Sequence, residues 1–311
     1  MNHTLTLQDR IRGCAVGAAV GDALGMPLEF GPPQPVEALV REMRGGCIPA
    51  GSFTDDTEMA LALAHSLLAH SLLAQRPLDP ADLAGRFVAW LETNPPDVGI
   101  HTANVLSRVA GGATWDAAVA AVQQFNPDSA GNGSVMRCWP VALAYHDDLA
   151  RLLAESALQS RVTHPHAECV AGSAFVNAAI YHLLAGAAPA DAVAWAVADA
   201  EVPAPLRAVI EAAPERARGD LHNTGWVRHT LESAVWGLLT TDTFEEAVVA
   251  VVNLGHDADT AGAVVGALAG AAYGLSGIPQ RWRDVLQGEY GGRHWDVAAL
   301  VALADNLAAL T

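Results

Sequence analysis

Two acidic segments, far apart in the sequence, carry residue types that are suited to holding a metal ion. Each segment places two Asp residues and one Thr at the start of an apolar pattern. These residues are Thr54, Asp55 and Asp56 in TDDTE, and Asp257, Asp259 and Thr260 in GHDADTAG. If the two helix starts meet, four carboxylates converge, and only cations make such crowding tolerable. Because all the ligands are hard oxygens, they suit Mg²⁺ or Mn²⁺ rather than Zn²⁺.

Helix capping is the alternative interpretation of the same residues. Asp55 and Glu58 have the spacing of a capping box. Acidic side chains near a helix N-terminus also interact favourably with the helix dipole. Capping accounts for one carboxylate but does not require Thr54, Asp55 and Asp56 together. The residue types alone leave both interpretations open.

Two further carboxylates lie in the segment GDALGMPLEF. Asp22 interrupts an otherwise apolar stripe, and Glu29 follows the predicted helix after a proline. One interpretation is a solvated helix end. The other is a further oxygen ligand, or a base that activates water.

A glycine-rich loop and two stiff turns also carry polar residues. The loop AGNGSVMR contains Asn132, Ser134 and Arg137, and its consecutive backbone N–H groups are suited to cradling a phosphate. A plain turn is the alternative interpretation. Asp97 in PPDVG and His164 in VTHPH lie in turns, where such residues are more often structural than catalytic.

The elements that must position these residues are helices. Apolar residues recur at spacings of three and four in segments such as ADLAGRFVAWLET and FEEAVVAVVNLG, and strict alternation is nearly absent. Chain breakers separate the periodic segments, and no linker or low-complexity stretch divides the chain. We therefore predict one all-α domain over residues 1–311.

Two of the predicted helices carry a glycine at every fourth position. Each glycine costs a helix up to about 1 kcal/mol relative to Ala, so the repetition indicates a flat stripe that lets another backbone approach closely. We predict that these helices form the middle of the bundle, with each other as the candidate partners. The glycines are Gly13, Gly17, Gly21 and Gly25 in one helix, and Gly262, Gly266, Gly270 and Gly274 in the other.

The composition argues against several functions. The chain has 34 acidic and 17 basic residues and a formal charge of −17, which disfavours nucleic acid and anionic membranes as partners. Every basic residue is Arg, which excludes a Schiff-base or P-loop lysine. Cys14, Cys47, Cys138 and Cys169 form no C-x-x-C motif and predict reduced, mostly buried thiols in a cytoplasmic protein. The long uncharged run 260–278 is too rich in Gly and Ala to predict a membrane span.

The acidic segments, the loop and the turns together resemble the ADP-ribosylglycohydrolase family. The likeness extends in order over nearly the whole chain. It is strongest to the branch that removes ADP-ribose from an arginine of dinitrogenase reductase. The matching blocks are GAAVGDALGMPLEF, TDDTEMALALAHSL, PPDVG, GNGSVMRCWPVAL, VTHPH, TGWVRHTLESAVW and NLGHDADTAGAVVGALAGAAYG.

The resemblance implies an orthogonal helical bundle with a central cleft that holds two divalent cations, Mg²⁺ or Mn²⁺. It also implies a role for each of fifteen residues. The implied metal ligands are Thr54, Asp55, Asp56, Asp257, Asp259 and Thr260; the catalytic carboxylates are Glu29 and Asp97; and the substrate contacts are Gly99, Gly131, Asn132, Gly133 and Ser134, with His164 lining the cleft and Trp226 stacking on adenine.

The implied activity is hydrolysis of the bond between ADP-ribose and a protein side chain, with arginine as the expected linkage. In the dinitrogenase reductase branch an Asn follows the DVG motif, whereas Ile100 and His101 follow it here, so the linkage specificity stays open. A hydrolase of a free small-molecule conjugate and a catalytically silent ADP-ribose-binding relative are the alternatives. We expect a monomer whose partners are ADP-ribose and an ADP-ribosylated protein.

Overall fold

The computed structural model describes residues 5–46, 48–74 and 77–310, with the side chains of 70–74 excepted. Cys47, predicted to be a buried thiol, lies outside the described residues. The described chain forms fifteen α-helices and one short hairpin, which confirms the all-α prediction. The helices are α1 (Leu7–Gly25), α2 (Asp55–Ala74), α3 (Pro80–Leu91), α4 (Ile100–Ala110), α5 (Trp115–Phe125), α6 (Trp139–Ala144), α7 (Leu149–Arg161), α8 (Ala167–Leu184), α9 (Pro189–Asp199), α10 (Ala204–Ala212), α11 (Val227–Leu239), α12 (Phe244–Val252), α13 (Ala258–Tyr273), α14 (Gln280–Arg283) and α15 (Val297–Ala308).

The two glycine-striped helices, α1 and α13, pack against each other in the middle of the bundle, as predicted. A Cβ atom added at Gly17 would lie well under 3.0 Å from the carbonyl oxygen of Gly266. The reverse holds for a Cβ atom at Gly266, and Gly21 faces Gly262 in the same way. The missing side chains therefore let the two backbones come into direct contact, and both helices are almost completely buried.

Several helices begin where the sequence supplies a capping side chain. The Thr6 hydroxyl accepts a hydrogen bond from the Asp9 N–H at the start of α1, at 3.1 Å. Asp79 caps α3 and Asp296 caps α15 in the same manner. Each cap satisfies backbone donors that have no partner within the helix. The helices α2 and α13, which carry the acidic segments, begin differently.

The rest of the described chain adds two local features. Strands β1 (Gly288–Tyr290) and β2 (Arg293–Trp295) form an antiparallel hairpin that pairs Gly288 with Trp295. Helix α8 is long and apolar enough to cross a membrane by length and composition, but 72% of it is buried inside the protein. Such burial is typical of a core helix.

Candidate active site

The starts of α2 and α13 meet, although they are far apart in the sequence. The Thr260 hydroxyl donates a hydrogen bond to Asp56 Oδ1 at 3.1 Å, so the two acidic segments are in direct contact. A weaker contact of 3.4 Å joins the Thr54 hydroxyl to Asp56 Oδ2. The predicted convergence of the two helix starts is therefore confirmed.

The acidic residues do lie in the first turns of α2 and α13, but the capping-box interpretation of Asp55 and Glu58 is wrong. Glu58 accepts a hydrogen bond from the Trp90 indole at 2.6 Å instead of turning back to the start of α2. The Asp257 carboxylate caps no N–H group of α13 and accepts from the Asn132 amide at 2.7 Å. The Asp55 carboxylate accepts no hydrogen bond from any residue that the structure describes. Asp55 and Asp257 are therefore not explained by helix capping.

Asp22, on α1, takes the capping role at the start of α2. Its carboxylate accepts hydrogen bonds from the N–H and the hydroxyl of Thr54, at 3.0 and 2.9 Å. It also accepts from the N–H and the hydroxyl of Thr57, at 3.1 and 2.6 Å. Asp22 is fully buried, so its interpretation as a solvated helix end is wrong. Burial raises the pKa of Asp22 to about 6, an effect that these hydrogen bonds oppose.

Replacing Asp22 with Ala should destabilise the protein, because two backbone N–H groups and two hydroxyls would lose their acceptor inside the core. Buried donors left unpaired cost about 1–3 kcal/mol each, and the loss of a crowded negative charge offsets part of that cost. We expect the free energy of unfolding to fall by at least about 2 kcal/mol. Asp22→Asn, which keeps one acceptor oxygen, should lose less. Urea denaturation without divalent cations measures both variants; an Asp22→Ala protein as stable as wild type would contradict the capping role.

Three carboxylates from two segments of the chain crowd together near the contact between Thr260 and Asp56. Oxygen atoms of Glu29, Asp257 and Asp259 all lie within 4.8 Å of one another. Burial raises the pKa of Glu29 to about 8, and the nearby charge of Asp97 adds to the increase. Burial likewise raises the pKa of Asp55 and Asp259 well above their usual range, with neighbouring carboxylates as the next cause.

The cluster fits divalent cations by its donor chemistry. Its ligand atoms are carboxylate and hydroxyl oxygens, which Mg²⁺ and Mn²⁺ prefer. Among the described residues no Arg or His forms an ion pair with any of these carboxylates. The buried Arg137 interacts electrostatically with Asp55 but forms no ion pair with it. Buried like charges without an ion-pair partner are strongly unfavourable, so a bound cation is the natural means of balancing them.

The glycine-rich loop lines the same cleft and contacts this cluster through Asn132, whose amide donates to Asp257. The Asn132 N–H donates to the Gly225 carbonyl at 3.0 Å, and the Asn132 amide also donates to Thr230. The His164 ring packs against the loop so closely that a Cβ atom at Gly133 would lie 2.7 Å from its Cε1. Burial lowers the pKa of His164 well below its usual range. The histidine is therefore neutral and holds the loop in place.

A cleft of about 730 Å³ joins the acidic cluster to the loop. Two of the predicted residues, Thr54 and Asp56, are buried in contact with the cluster and do not line the cleft. Ser134 is fully buried and shares hydrogen bonds with Ser160 and Ser173, so its hydroxyl is not in the cleft wall. The predicted residues that line the cleft are Glu29, Asp55, Asp97, Gly99, Gly131, Asn132, Gly133, His164, Asp257, Asp259 and Thr260.

Trp226 lies beside the cleft and does not form its wall. Its backbone pairs with that of Gly131, and its exposed indole contacts the His229 ring and the Arg228 guanidinium. Arg228 is in turn paired with Glu168. That Trp226 stacks on adenine, as the sequence analysis expects, stays a prediction.

Some residues near the cleft have roles that sequence reasoning missed. Asn223 fixes the start of α13, because its carbonyl accepts the Asp257 N–H and its amide donates to the Asp257 carbonyl. Its position in the unremarkable segment LHNTG carries no signal of that role. Arg137, which belongs to the predicted anion-binding loop, is fully buried away from the cleft. It donates to the Thr163 hydroxyl at 2.6 Å and lies over the Phe87 ring.

Comparisons with known proteins agree with this geometry. A family model for ADP-ribosylglycohydrolases matches residues 3–311. The chain is 33% identical over 292 residues to the ADP-ribosylarginine hydrolase Tri1 of Serratia proteamaculans (strain 568), across 89% of this chain and 75% of the relative. It is 33% identical over 296 residues to the ADP-ribosyl-[dinitrogen reductase] glycohydrolase of Rhodospirillum rubrum, across 90% and 91% of the two chains.

A solved structure described as an ADP-ribosylglycohydrolase-related protein complex has a TM-score of 0.78 to this chain, with 34% identity and 98% of each chain covered. The helical fold, the acidic cleft and these matches define a hydrolase of the glycosidase class. The chain belongs to the ADP-ribosylglycohydrolase family.

Proposed function

We propose that this protein is a divalent-metal-dependent hydrolase that removes ADP-ribose from an arginine side chain of a modified protein. The observation that carries the proposal is the meeting of the starts of α2 and α13 around a carboxylate cluster without a basic partner. The cluster opens on a cleft that is also lined by the glycine-rich loop. This arrangement suits a substrate that places a sugar at the carboxylate cluster and a diphosphate at the glycine-rich loop.

The metal ligands in this proposal are Thr54, Asp55, Asp56, Asp257, Asp259 and Thr260. Bound Mg²⁺ or Mn²⁺ would neutralise the cluster, orient the hydroxyls of the ribose and acidify water. The oxygen-only donor set and the raised pKa values support that assignment.

The side chains of the cleft have separate tasks in the reaction. Breaking the bond at C1 of the ribose gives the sugar oxocarbenium character, which nearby carboxylates stabilise. Glu29 and Asp97 both line the cleft. We assign to them the proton transfers of the reaction, which either remove a proton from the attacking water or donate one to the leaving group. Among the described residues none accepts the N–H groups of Gly131 and Gly133, so both are free to hold the diphosphate.

The arginine linkage is supported by the two relatives named above. One is an ADP-ribosylarginine hydrolase and the other acts on ADP-ribosyl-dinitrogen reductase, according to their names. We further propose a monomeric protein in the cytoplasm. The free, buried thiols of Cys14, Cys138 and Cys169 support a reducing compartment.

The test is release of ADP-ribose from matched substrates in the presence of Mg²⁺ or Mn²⁺. Arginine-linked ADP-ribose on a protein should be cleaved, and serine-linked ADP-ribose should be cleaved at least about tenfold more slowly. The variant Asp97→Asn should lower kcat/KM by about 10²–10⁴-fold, the range for loss of a general acid or base. Faster cleavage of the serine linkage would overturn the arginine assignment, and no release from either substrate would overturn the hydrolase proposal.

A further inference from the structure

A second cavity opens beside the cleft, between α4 and α5. We call it the side groove; its volume is about 530 Å³, and its walls include Arg108, Val122 and Phe125. Ile100 and His101 line both the side groove and the cleft. The two cavities are therefore adjacent, with Ile100 and His101 between them, and a molecule that projects from the cleft past these residues meets the side groove.

Large apolar side chains stand exposed at this junction. Phe30, Ile100 and Phe125, which we call the apolar rim, are each 82% exposed, more than any other large hydrophobic residue that the structure describes. Phe30 and Ile100 line the cleft, while Ile100 and Phe125 line the side groove. Exposed apolar side chains that gather in one place mark interaction sites more often than scattered ones.

Two of the three residues of the apolar rim, Phe30 and Ile100, line the cleft together with Glu29 and Asp97. Phe30 directly follows Glu29, and Ile100 lies three residues after Asp97. Because these two carboxylates are the proposed proton-transfer groups, the scissile bond must lie next to them. The protein that carries the ADP-ribose therefore leaves the cleft beside Phe30 and Ile100.

The backbone holds Phe30 in an unfavourable conformation at this position. Its φ is 59°, in the left-handed region that bulky residues rarely adopt. Its N–H donates to the His256 carbonyl at 2.6 Å, and the His256 N–H donates to the Gly31 carbonyl at 2.7 Å. Strained backbone that is held by its surroundings concentrates at ligand sites.

Arg108 gives the side groove a positive charge in a chain of net charge −17. It is exposed near the end of α4, and its guanidinium forms no hydrogen bond or ion pair with any described residue. Some other exposed arginines are paired, for example Arg281 with Glu42 and Glu245, whereas Arg44 and Arg161 also have no ion pair among the described residues. An acidic side chain of a partner would complement Arg108.

We propose that the apolar rim and the side groove bind the protein part of the substrate, as an extended segment next to the modified arginine. An apolar side chain of that segment contacts Ile100 and Phe125, and an acidic side chain lies near Arg108. The inference rests on the proposed function, because it requires a protein substrate. It adds a preference for the sequence around the modified residue.

The test compares two peptides of about ten residues, each ADP-ribosylated on one central arginine. One peptide carries Leu and Glu on both sides of the arginine, and the other carries only Gly and Ser. Free ADP-ribosylarginine is the third substrate. Wild-type protein should cleave the first peptide with kcat/KM at least about fivefold higher than the second, through a lower KM. Phe125→Ser and Arg108→Glu should abolish that preference and leave cleavage of free ADP-ribosylarginine within about twofold of wild type.

The control is Trp195→Ser, which removes another exposed aromatic side chain on α9, a helix that lines neither cavity. This variant should keep the peptide preference. Equal kcat/KM for the two peptides with wild-type protein would overturn the inference while leaving the proposed function intact. Equal losses on free ADP-ribosylarginine and on peptides would also overturn it. Failure of wild-type protein to cleave any of the three substrates would overturn the proposed function itself.

Discussion

Replacing Asp257 with Ala should lower kcat/KM for ADP-ribose release by about 10³-fold or more. A cation that polarises a reacting group supplies several kcal/mol of transition-state stabilisation, and each 1.4 kcal/mol corresponds to about tenfold in rate. Wild-type protein should lose its activity on treatment with a chelator and regain it with Mg²⁺ or Mn²⁺. Full activity after exhaustive chelation would contradict the proposal that the enzyme depends on a divalent metal.

Metal binding itself supplies a second readout for this variant. Divalent cations should raise the melting temperature of wild-type protein, because a ligand that binds only the folded state stabilises it. The shift should be much smaller for Asp257→Ala. Without metal the variant should melt close to wild type, since the lost hydrogen bond from Asn132 is offset by relief of repulsion from Asp259. Asp128→Ala, at an exposed position, is the matched control and should behave as wild type.

The convergence of the acidic segments was predictable from the sequence because few environments stabilise such pairs of carboxylates. Two carboxylates close together at the start of each of two apolar helices have few tolerable environments. A shared cation site is one of them, and the hydrogen bond between Thr260 and Asp56 shows that the two helix starts meet. The glycine stripes predicted the central helix pair for a similar reason, since a close backbone neighbour explains glycines that recur on one face of each helix. Gly274 is the exception, because it follows the end of α13 with a φ of 73°. Both predictions rest on energetic costs that can be read from one sequence: the repulsion between nearby carboxylates and the low helix propensity of glycine.

Other features depend on tertiary contacts that no local pattern encodes. Glu58 has the spacing of a capping box but bonds to Trp90 of α3, and Asp22 caps a helix that begins 33 residues later, at Asp55. The loop residue Ser134 points into the core because α7 and α8 provide Ser160 and Ser173 as partners. These hydrogen-bond partners depend on how neighbouring helices align, and the sequence alone does not reveal that alignment.

Replacing Gly266 with Ala should destabilise the protein, although Ala is the better helix former. The added methyl group would lie well under 3.0 Å from the Gly17 carbonyl oxygen, an atom of the facing backbone that cannot rotate away. Overpacking of this kind costs about 1–3 kcal/mol or more, which exceeds the gain of up to about 1 kcal/mol in helix propensity. Gly266→Leu should be worse.

Gly85→Ala is the control, and its effect on the free energy of unfolding should have the opposite sign. Gly85 lies exposed in α3, and a Cβ atom there has no neighbour within 4 Å, so the substitution should stabilise by about 0.5–1 kcal/mol. Gly186 is unsuitable as a control position because its φ of 91° strains any side chain.

Activity should distinguish Gly266 from Gly85 further. Asp257, Asp259 and Thr260 begin the helix that contains Gly266, and metal sites tolerate displacements of only about 0.2 Å. Gly266→Ala should therefore weaken Mn²⁺ binding and lower kcat/KM, whereas Gly85→Ala should change neither. A Gly266→Ala protein that melts and binds Mn²⁺ like wild type would show that α1 and α13 separate without cost, contrary to their role as the rigid support of the acidic cluster.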